Sequence, residues 1–258
     1  MTERHPVVFV GAGPGDPELI TLKGQRTLAG ADLILYTGSL IPRELLVYAR
    51  SGAELVDTAA MDLEAIVSRL IEAYRSGRRA VRLHTGDPSL YSAIHEQMVL
   101  LRKAQVSYQV IPGVTAGAAA AATLAQELTV PEVTQTVIYT RAAGRTPVPE
   151  AESLDKLAVH GATLVIYLSV QLLDTVVEQL LPHYGPDTPA AVVYRASWPE
   201  EKVIRGNLAG IAGQVREAGI NRQALILVGP ALAPEEAGAG RSKLYDGSFG
   251  HGYREAKP

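Results

Sequence analysis

The stretch that decides the fold is VVFVGAGPGDPELI, residues 7–20. Its first four residues are apolar and run into a glycine-rich turn, which is typical of a buried strand that opens an α/β sheet. In a dinucleotide-binding turn a third glycine would stand at the position of Asp16, where a carboxylate repels pyrophosphate. The loop therefore suits a ligand without phosphates, and a purely structural tight turn is the alternative interpretation.

Apolar runs alternate with helical spacing along the rest of the chain, which predicts an α/β fold with largely parallel strands covered on both faces. The predicted strands are Val7–Val10, Asp32–Tyr36, Glu54–Asp57, Arg79–His84, Val106–Ile111, Val137–Thr140, Thr163–Leu168, Ala190–Tyr194, Lys202–Gly206 and Ala224–Val228. The predicted helices are Glu18–Ala29, Asp62–Tyr74, Leu90–Ala104, Thr115–Leu128, Leu154–His160, Val170–Leu181 and Asn207–Ala218.

The alternation stops and restarts around residues 129–136, which we take as a domain boundary. We predict an N-terminal α/β domain over residues 1–130 and a C-terminal α/β domain over residues 131–232. The remaining residues, 233–258, are rich in glycine and polar side chains and are expected to form a loose tail.

Composition excludes several classes of function. The chain has 258 residues and no cysteine, so disulfides, thiolate nucleophiles, iron–sulfur clusters and cysteine-bound zinc are ruled out. A net charge of −3 gives no basic footprint for nucleic acid, and no two of the six histidines have helical metal-pair spacing. The missing cysteines and the histidine spacing lead us to expect no bound metal. Because neither a signal peptide nor a membrane-spanning stretch occurs, we expect a cytoplasmic protein without a membrane partner.

Two further loops follow predicted strands, at the positions where ligands bind in open α/β sheets. In the loop Thr85–Pro88, Asp87 could accept hydrogen bonds from a ligand, or it could cap the helix that starts there. The small residues of Pro112–Ala116 make room for a flat ring, although Thr115 could equally be an ordinary helix cap.

Two loops in the second half have a similar position, Tyr167–Ser169 and Tyr194–Ser197. His84 ends a predicted strand, where it could move a proton or serve as a hydrogen-bonded structural histidine. Several arginines also lie near predicted strand ends and are either surface charges or partners for an anionic substrate, namely Arg82, Arg141, Arg145 and Arg195.

Five segments in this order resemble the tetrapyrrole methyltransferase family: VGAGPGDPELITLKG, TGDPSLYS, IPGVTA, VIYLS and LILVGPAL. The resemblance covers nearly all of residues 7–232. It implies two α/β domains with mixed sheets, and S-adenosylmethionine bound in the cleft between the domains. It also implies methyl transfer to a large macrocycle that carries several carboxylates.

Carried over motif by motif, the resemblance implies cofactor contacts at Pro14, Gly86, Asp87, Leu90, Thr115, Ala116, Tyr167, Leu168 and Ala196. Two positions depart from the family pattern. Leu168 stands where many relatives have methionine, and Ala196 where some have glycine. Both changes are small and apolar, so they leave the implied contacts intact.

The segment YTGSLIP, residues 36–42, bears on the substrate. Relatives that methylate uroporphyrinogen have an aspartate at the position of Thr37, where it is a proposed base, so that role does not carry over. The segment resembles instead the members that methylate carbon 11 of precorrin-4, or of its cobalt complex. SKLYDGSFGHGYR near the end of the chain is similar to the same branch.

The base that removes the proton is not assigned by the resemblance, and the candidates from the residues are Asp16, His84 and Tyr91. Basic side chains are expected around a polycarboxylate precorrin, and the candidates are Lys23, Arg43, Arg141 and Arg195. Family resemblance also implies a homodimer, with no nucleic-acid partner.

Three other functions stay open at this point. The chain could methylate another precorrin carbon or uroporphyrinogen, it could be a dinucleotide-dependent oxidoreductase, or it could be a binding module without activity. Thr37 speaks against the uroporphyrinogen substrate, and Asp16 against the dinucleotide. The intact loops speak against a module that has lost activity.

Overall fold

The computed structural model describes residues 4–233 and 242–256. The strands in these ranges are β1 Val7–Gly11, β2 Leu33–Tyr36, β3 Glu54–Asp57, β4 Ala80–His84, β5 Tyr108–Ile111, β6 Val137–Arg141, β7 Thr163–Tyr167, β8 Pro189–Tyr194, β9 Lys202–Asn207 and β10 Ala224–Val228. The α-helices are α1 Leu22–Ala29, α2 Leu63–Arg75, α3 Ile94–Lys103, α4 Ala116–Thr123, α5 Leu154–Ala158, α6 Leu173–Tyr184 and α7 Ile211–Glu217.

The first five strands form one wholly parallel sheet in the order β3-β2-β4-β1-β5. Successive residues of a strand point to opposite faces of a sheet. Leu33 and Leu35 of β2 accordingly join an apolar cluster with Leu70 of α2, whereas Ile34 joins another with Leu28 of α1. Apolar clusters on both faces confirm the predicted covering, and all five strands end at the same edge.

The other five strands form a second sheet in the order β6-β7-β10-β8-β9. Only β6 and β7 are parallel, and the remaining pairs are antiparallel, so this sheet is mixed, as the resemblance implied. Its core brings together Ile166, Val192 and Ile226 from the strands with Val176 of α6 and Val215 of α7.

Contacts divide the chain into two units. The N-terminal unit runs to Ala119 and also includes Ala196–Pro199, which lies in the loop joining β8 to β9. The C-terminal unit consists of Ala120–Arg195 and of the residues from Glu200 onward. The division at Ala119 falls inside α4.

The first helix starts later than the sequence predicts. A 3-10 turn covers Pro17–Leu19, and Ile20 has extended φ and ψ of −70° and 144°. Helix α1 then begins at Leu22, after Thr21, whose hydroxyl accepts a hydrogen bond from the Gly24 amide at 3.0 Å. A helix predicted from Glu18 was therefore wrong in its first turn, because Asp16 caps a separate 3-10 turn and the extended backbone at Ile20 ends that turn before Thr21 caps α1.

Two more helices are shorter than predicted, because residues with left-handed backbone interrupt them. Tyr91 and Ala93 have φ of 54° and 50°, so α3 starts at Ile94 rather than Leu90. Ala125 has φ of 51°, and α4 ends before it, at Thr123. Nothing in the hydrophobic pattern marks these positions, since non-glycine residues rarely adopt such φ values.

The predicted tail lies partly outside the described residues, at 234–241 and 257–258. In the part that the structure describes, Arg254 donates hydrogen bonds to the carbonyl oxygens of Leu244, Asp246 and Phe249 at 2.6–3.1 Å. These bonds close residues 244–254 into a local turn.

Candidate functional site

Three of the loops singled out in the sequence lie side by side in the N-terminal unit. They follow β4, β1 and β5, which are neighbours in the sheet in that order. We call residues 11–17, 85–90 and 112–116 the loop edge. Because the strands are parallel, their carboxyl ends meet at this edge, which is the usual place for a ligand in an open α/β sheet.

Gly11 and Gly113 allow the three loops to touch backbone to backbone. A Cβ atom on Gly11 would lie 2.6 Å from the Gly113 Cα and 2.7 Å from the Gly86 carbonyl oxygen. A Cβ atom on Gly113 would lie 2.2 Å from that same oxygen. A larger residue at either position would force the loops apart, so these two glycines hold the loop edge together.

Hydrogen bonds strengthen the contact between the first two loops. The Ala12 amide donates to the His84 carbonyl oxygen at 2.7 Å, and Gly13 and Gly86 exchange amide-to-carbonyl bonds of 3.2 and 2.7 Å. Gly13 and Gly86 have φ of 81° and 63°, which glycine adopts without steric cost. The structural interpretation of the glycine-rich turn therefore holds for its backbone.

Asp87 connects the second loop to the third. One carboxylate oxygen accepts a hydrogen bond from the Gly113 amide at 2.9 Å, and the other accepts the Ser89 amide at 2.8 Å and the Ser89 hydroxyl. Burial tends to raise the pKa of Asp87, but the bonds from Ser89 and Gly113 outweigh it and hold the pKa below its usual value. The alternative interpretation of Asp87 as the cap of α3 is wrong, since α3 begins only at Ile94.

Trp198 holds the tip of the first loop. Its indole Nε1 donates a hydrogen bond to the Pro14 carbonyl oxygen at 2.8 Å. Its ring lies so close to Gly15 that a Cβ atom there would come within 2.2 Å of Trp198 Cδ1. Sequence reasoning missed Trp198, although a large aromatic side chain in a loop of polar residues was an available signal.

Asp16 is fixed at both its backbone and its side chain. Its amide donates to the Ser197 hydroxyl at 3.0 Å, and its carboxylate accepts the Glu18 amide at 2.8 Å as the cap of the 3-10 turn. The carboxylate therefore has a structural function, and its catalytic role stays a prediction.

Thr115 and Ala116 lie where the sequence placed them, at the start of the alanine-rich helix. The Thr115 carbonyl oxygen accepts hydrogen bonds from the amides of Ala118 and Ala119 at 3.1 and 3.2 Å, so Thr115 occupies the position of a helix cap. The Leu90 amide donates to the Asp87 carbonyl oxygen at 3.2 Å. All three predicted cofactor contacts thus belong to the loop edge.

Leu168 stands out in the C-terminal unit. It is 73% exposed, and its φ of 55° is strained for a leucine. The next residue, Ser169, is fully buried, and its hydroxyl accepts the Ala142 amide at 2.8 Å and donates to the Tyr167 carbonyl oxygen at 2.6 Å. Buried Ser169 thus holds an apolar side chain out in solvent, and such strain is common where a ligand binds.

The predicted substrate-binding arginines of the C-terminal unit bond to their own surroundings. Arg141 donates to the carbonyl oxygens of Thr146 and Pro147 at 3.0 and 2.5 Å, and so closes its own loop. Arg195 bonds to Gln223 at 2.9 Å and pairs with Glu200 at 3.3 Å. These bonds give both arginines a structural function, so the substrate role rests on the resemblance.

The remaining predicted residues lie in the N-terminal unit. Lys23 and Arg43 are exposed, Ala196 is buried, and Tyr91 is 44% exposed. The Arg43 charge helps to lower the pKa of Asp57, after the larger effect of the bonds that Asp57 accepts from the amides of Gly38 and Ala59. Tyr91 directly follows the loop edge and lines a cavity with Thr85, and Ala196 precedes Ser197, whose hydroxyl accepts the Asp16 amide.

The charge of the loop edge limits the ligand. Its three segments contain no lysine or arginine, and their ionisable side chains are the carboxylates of Asp16 and Asp87. Such an edge favours a cation and disfavours a pyrophosphate. Among the described residues, no three metal-binding side chains cluster, and no helix is long and apolar enough to cross a membrane.

His84 and Arg82 lie behind the loop edge, on β4. Both are 6% exposed, and the His84 ring is tilted against Phe9 with centroids 5.9 Å apart. Burial, and then the charge of Arg82, lower the pKa of His84 to about 3. His84 is therefore neutral at pH 7, and a proton placed on it would be poorly stabilised.

Comparison with known proteins gives a family match over most of the chain. The model of the family described as Tetrapyrrole (Corrin/Porphyrin) Methylases matches residues 6–212. A precorrin-4 C(11)-methyltransferase of Pseudomonas aeruginosa is 53% identical over 248 residues, which are 96% of this chain and 98% of that protein. A cobalt-precorrin-4 C(11)-methyltransferase of Methanocaldococcus jannaschii is 49% identical over 257 residues, which are 99% of this chain and 98% of that protein.

Solved structures agree with this match. A cobalt precorrin-4 methyltransferase has 47% identity and a TM-score of 0.87, covering 89% of this chain and 96% of that one. A uroporphyrin-III C-methyltransferase of Thermus thermophilus, crystallised with S-adenosylhomocysteine, has 28% identity and a TM-score of 0.74, covering 88% and 99%.

Proposed function

Since the chain belongs to the tetrapyrrole methylase family, we propose that it transfers a methyl group from S-adenosylmethionine to carbon 11 of precorrin-4 or cobalt-precorrin-4. The choice of substrate rests on the similarity to C(11)-methyltransferases, which are 49% and 53% identical in sequence over nearly the whole chain. The segment at residues 36–42, with Thr37 in place of an aspartate, supports the same choice against uroporphyrinogen.

The composition of the loop edge supports S-adenosylmethionine as the methyl donor. This cofactor carries a positive sulfonium, and the edge offers ionised Asp87 and no cationic side chain. The residues that would hold it are the cofactor contacts implied by the resemblance. Among them, the carbonyl oxygen of Pro14 already accepts a hydrogen bond from Trp198. When bound, the cofactor supplies an electrophilic methyl group.

The part played by the chain is to position, to shield and to remove a proton. Leu168, a cofactor contact by resemblance, is exposed and apolar and would exclude water from the bound cofactor. Positioning by the loop edge would lower the barrier further. Among the predicted bases, His84 is a poor acceptor, because burial and Arg82 disfavour its protonated form. Asp16 and Tyr91 stay as candidates for the base.

Incubation with labelled S-adenosylmethionine and either metal-free or cobalt precorrin-4 tests the proposal. We expect one labelled methyl group per product, located on carbon 11 by NMR, and the two incubations show which form is preferred. A methyl group on another carbon, or labelling of uroporphyrinogen alone, would leave the family assignment intact and overturn the substrate.

We also propose that the protein is a homodimer, as its resemblance to the family implies. Size-exclusion chromatography with light scattering should give the mass of two chains. A single-chain mass at micromolar concentration would contradict the dimer and leave the proposed reaction untouched.

A further inference from the structure

Arg82 is a buried cation without a counter-ion among the described residues. Its Nη1 donates to the carbonyl oxygens of Leu35 and Leu83, both at 3.3 Å. Its Nε has no partner in the described part of the chain, and no ion pair there joins Arg82 to a carboxylate. Burial lowers the pKa of Arg82 to about 10, which leaves it charged at pH 7. A charge buried in this way costs free energy, and a ligand that supplies the opposite charge would offset that cost.

A chain of hydroxyls orients this guanidinium. The Thr58 hydroxyl donates to the Tyr36 carbonyl oxygen at 3.0 Å, so its hydrogen is committed there. It must then accept from the Thr37 hydroxyl, 3.2 Å away. Thr37 in turn accepts Arg82 Nη2 at 3.5 Å. Thr37 is therefore a positioning residue that brings no charge to Arg82.

Arg82 and His84 line the same cavity. They are two residues apart on β4, so their side chains leave the same face of the sheet. The cavity has a volume of about 190 Å³ and no carboxylate among its lining residues, which also include Thr37, Tyr91 and Ser92. The His84 Nε2 has no hydrogen-bond partner in the described residues, although the residue is only 6% exposed.

A carboxylate satisfies all of these groups at once. A guanidinium binds a carboxylate through parallel N–H donors, and a neutral imidazole can donate one further hydrogen bond. We propose that this cavity receives one carboxylate arm of the tetrapyrrole substrate, with Arg82 as counter-ion and His84 as hydrogen-bond donor. The inference rests on the proposed function, because that function supplies a substrate with carboxylate arms.

The first test adds the missing charge within the protein. Thr37→Asp places a carboxylate beside Arg82 Nη2, whereas Thr37→Asn has the same shape without the charge. We expect Thr37→Asp to raise the KM for precorrin-4 about tenfold or more relative to Thr37→Asn, with an unchanged Kd for S-adenosylmethionine by calorimetry. Equal KM values for the two variants would overturn the inference.

The second test removes the charge. Arg82→Met should raise the KM for precorrin-4 roughly 30-fold or more while its Tm stays at or above that of the unchanged protein, since the buried charge is lost with it. Arg75→Gln, at the exposed end of α2, is the matched control and should behave like the unchanged protein. A much lower Tm, or an unchanged KM, for Arg82→Met would show that Arg82 is structural.

The two proposals fail in different ways. If the unchanged protein methylates precorrin-4 and Thr37→Asp and Arg82→Met keep its KM, only the proposed carboxylate site is wrong. If the unchanged protein methylates no tetrapyrrole, the proposed function fails and the tetrapyrrole arm fails with it. Normal binding of S-adenosylmethionine by every variant shows that the loop edge is intact in each comparison.

Discussion

At the scale of single residues, burial changes what a side chain can do. His84 ends a strand beside a ligand loop, and the sequence allowed both a proton-transfer role and a structural one. Its burial next to Phe9 and Arg82 makes the neutral form the stable one. The sequence places Arg82 two residues from His84 on the same strand, but the contact with Phe9 of β1 and the burial of the imidazole exist only in the folded chain.

The low pKa of His84 predicts a loss of stability in acid. The folded protein binds this proton only near pH 3, whereas the unfolded chain binds it near the ordinary value of 6.5. The contribution of His84 to the free energy of unfolding should therefore be fully present above about pH 6.5. It should fall below that pH by up to ~1.4 kcal/mol per pH unit, until the pKa of the folded state is reached.

The variant His84→Gln cannot titrate and isolates this effect. We expect its unfolding free energy to fall less steeply than that of the unchanged protein between pH 6 and pH 4, measured by urea unfolding across about five pH values. Parallel curves for the two proteins would contradict the buried neutral histidine.

Leu168 combines backbone strain with exposure, and this predicts opposite effects on stability and activity. Leu168→Gly removes the cost of the left-handed φ, ~1 kcal/mol, and should leave Tm equal or higher. Its kcat/KM should fall, because the exposed apolar side chain is lost. Leu168→Ala loses most of that side chain but keeps the strain, so it should match the activity loss without any gain in Tm. Unchanged kcat/KM in both variants would exclude a role in the reaction.

At the scale of elements, strands were easier to predict than helix ends. Most strands of the first sheet are apolar runs, and all five could be located to within one or two residues, although the edge strands β3 and β5 are only partly buried. The start of α1 was misplaced because a 3-10 turn capped by Asp16 precedes the helix, and the start of α3 because Tyr91 and Ala93 take left-handed backbone. The loops were recognised by composition, whereas the contacts among them are tertiary.

The contact among the glycines of the loop edge predicts a large effect of one methyl group. Gly113→Ala would bring a Cβ atom within 2.2 Å of the Gly86 carbonyl oxygen. The loops must then separate, so we expect a lower Tm and at least tenfold weaker binding of S-adenosylmethionine in calorimetry.

Gly213→Ala is the matched control for this substitution. Gly213 lies within α7, and a Cβ atom there meets nothing within 4 Å. Alanine should stabilise the protein by ~0.5–1 kcal/mol and leave cofactor binding unchanged. If both alanine variants bind the cofactor equally well, the glycine contact does not shape the site.

At the scale of the whole molecule, binding should appear as a gain in thermal stability. A ligand at 100 times its Kd stabilises the folded state by ~2.7 kcal/mol, which corresponds to a Tm increase of roughly 5–10 °C for a chain of this length. We expect this increase with S-adenosylmethionine in a thermal shift assay. NADH should give none, because the loop edge has no cation for a pyrophosphate; the reverse result would favour an oxidoreductase.

The two units also show which long-range features the sequence could not predict. The α/β class, the mixed second sheet and the loops at strand ends follow from periodicity or from the family resemblance. The assignment of Ala196–Pro199 to the N-terminal unit does not, because these residues lie between two strands of the other sheet. Only the folded chain reveals that Trp198 packs on a loop more than 180 positions earlier.

That tryptophan is the only one in the chain, and its indole lies on the tip of the first loop. Its fluorescence emission is therefore a built-in optical reporter of the loop. Any event that loosens the bond to the Pro14 carbonyl oxygen should expose the indole and shift the emission to longer wavelength. Stopped-flow fluorescence could then follow the loop during a turnover without any attached dye.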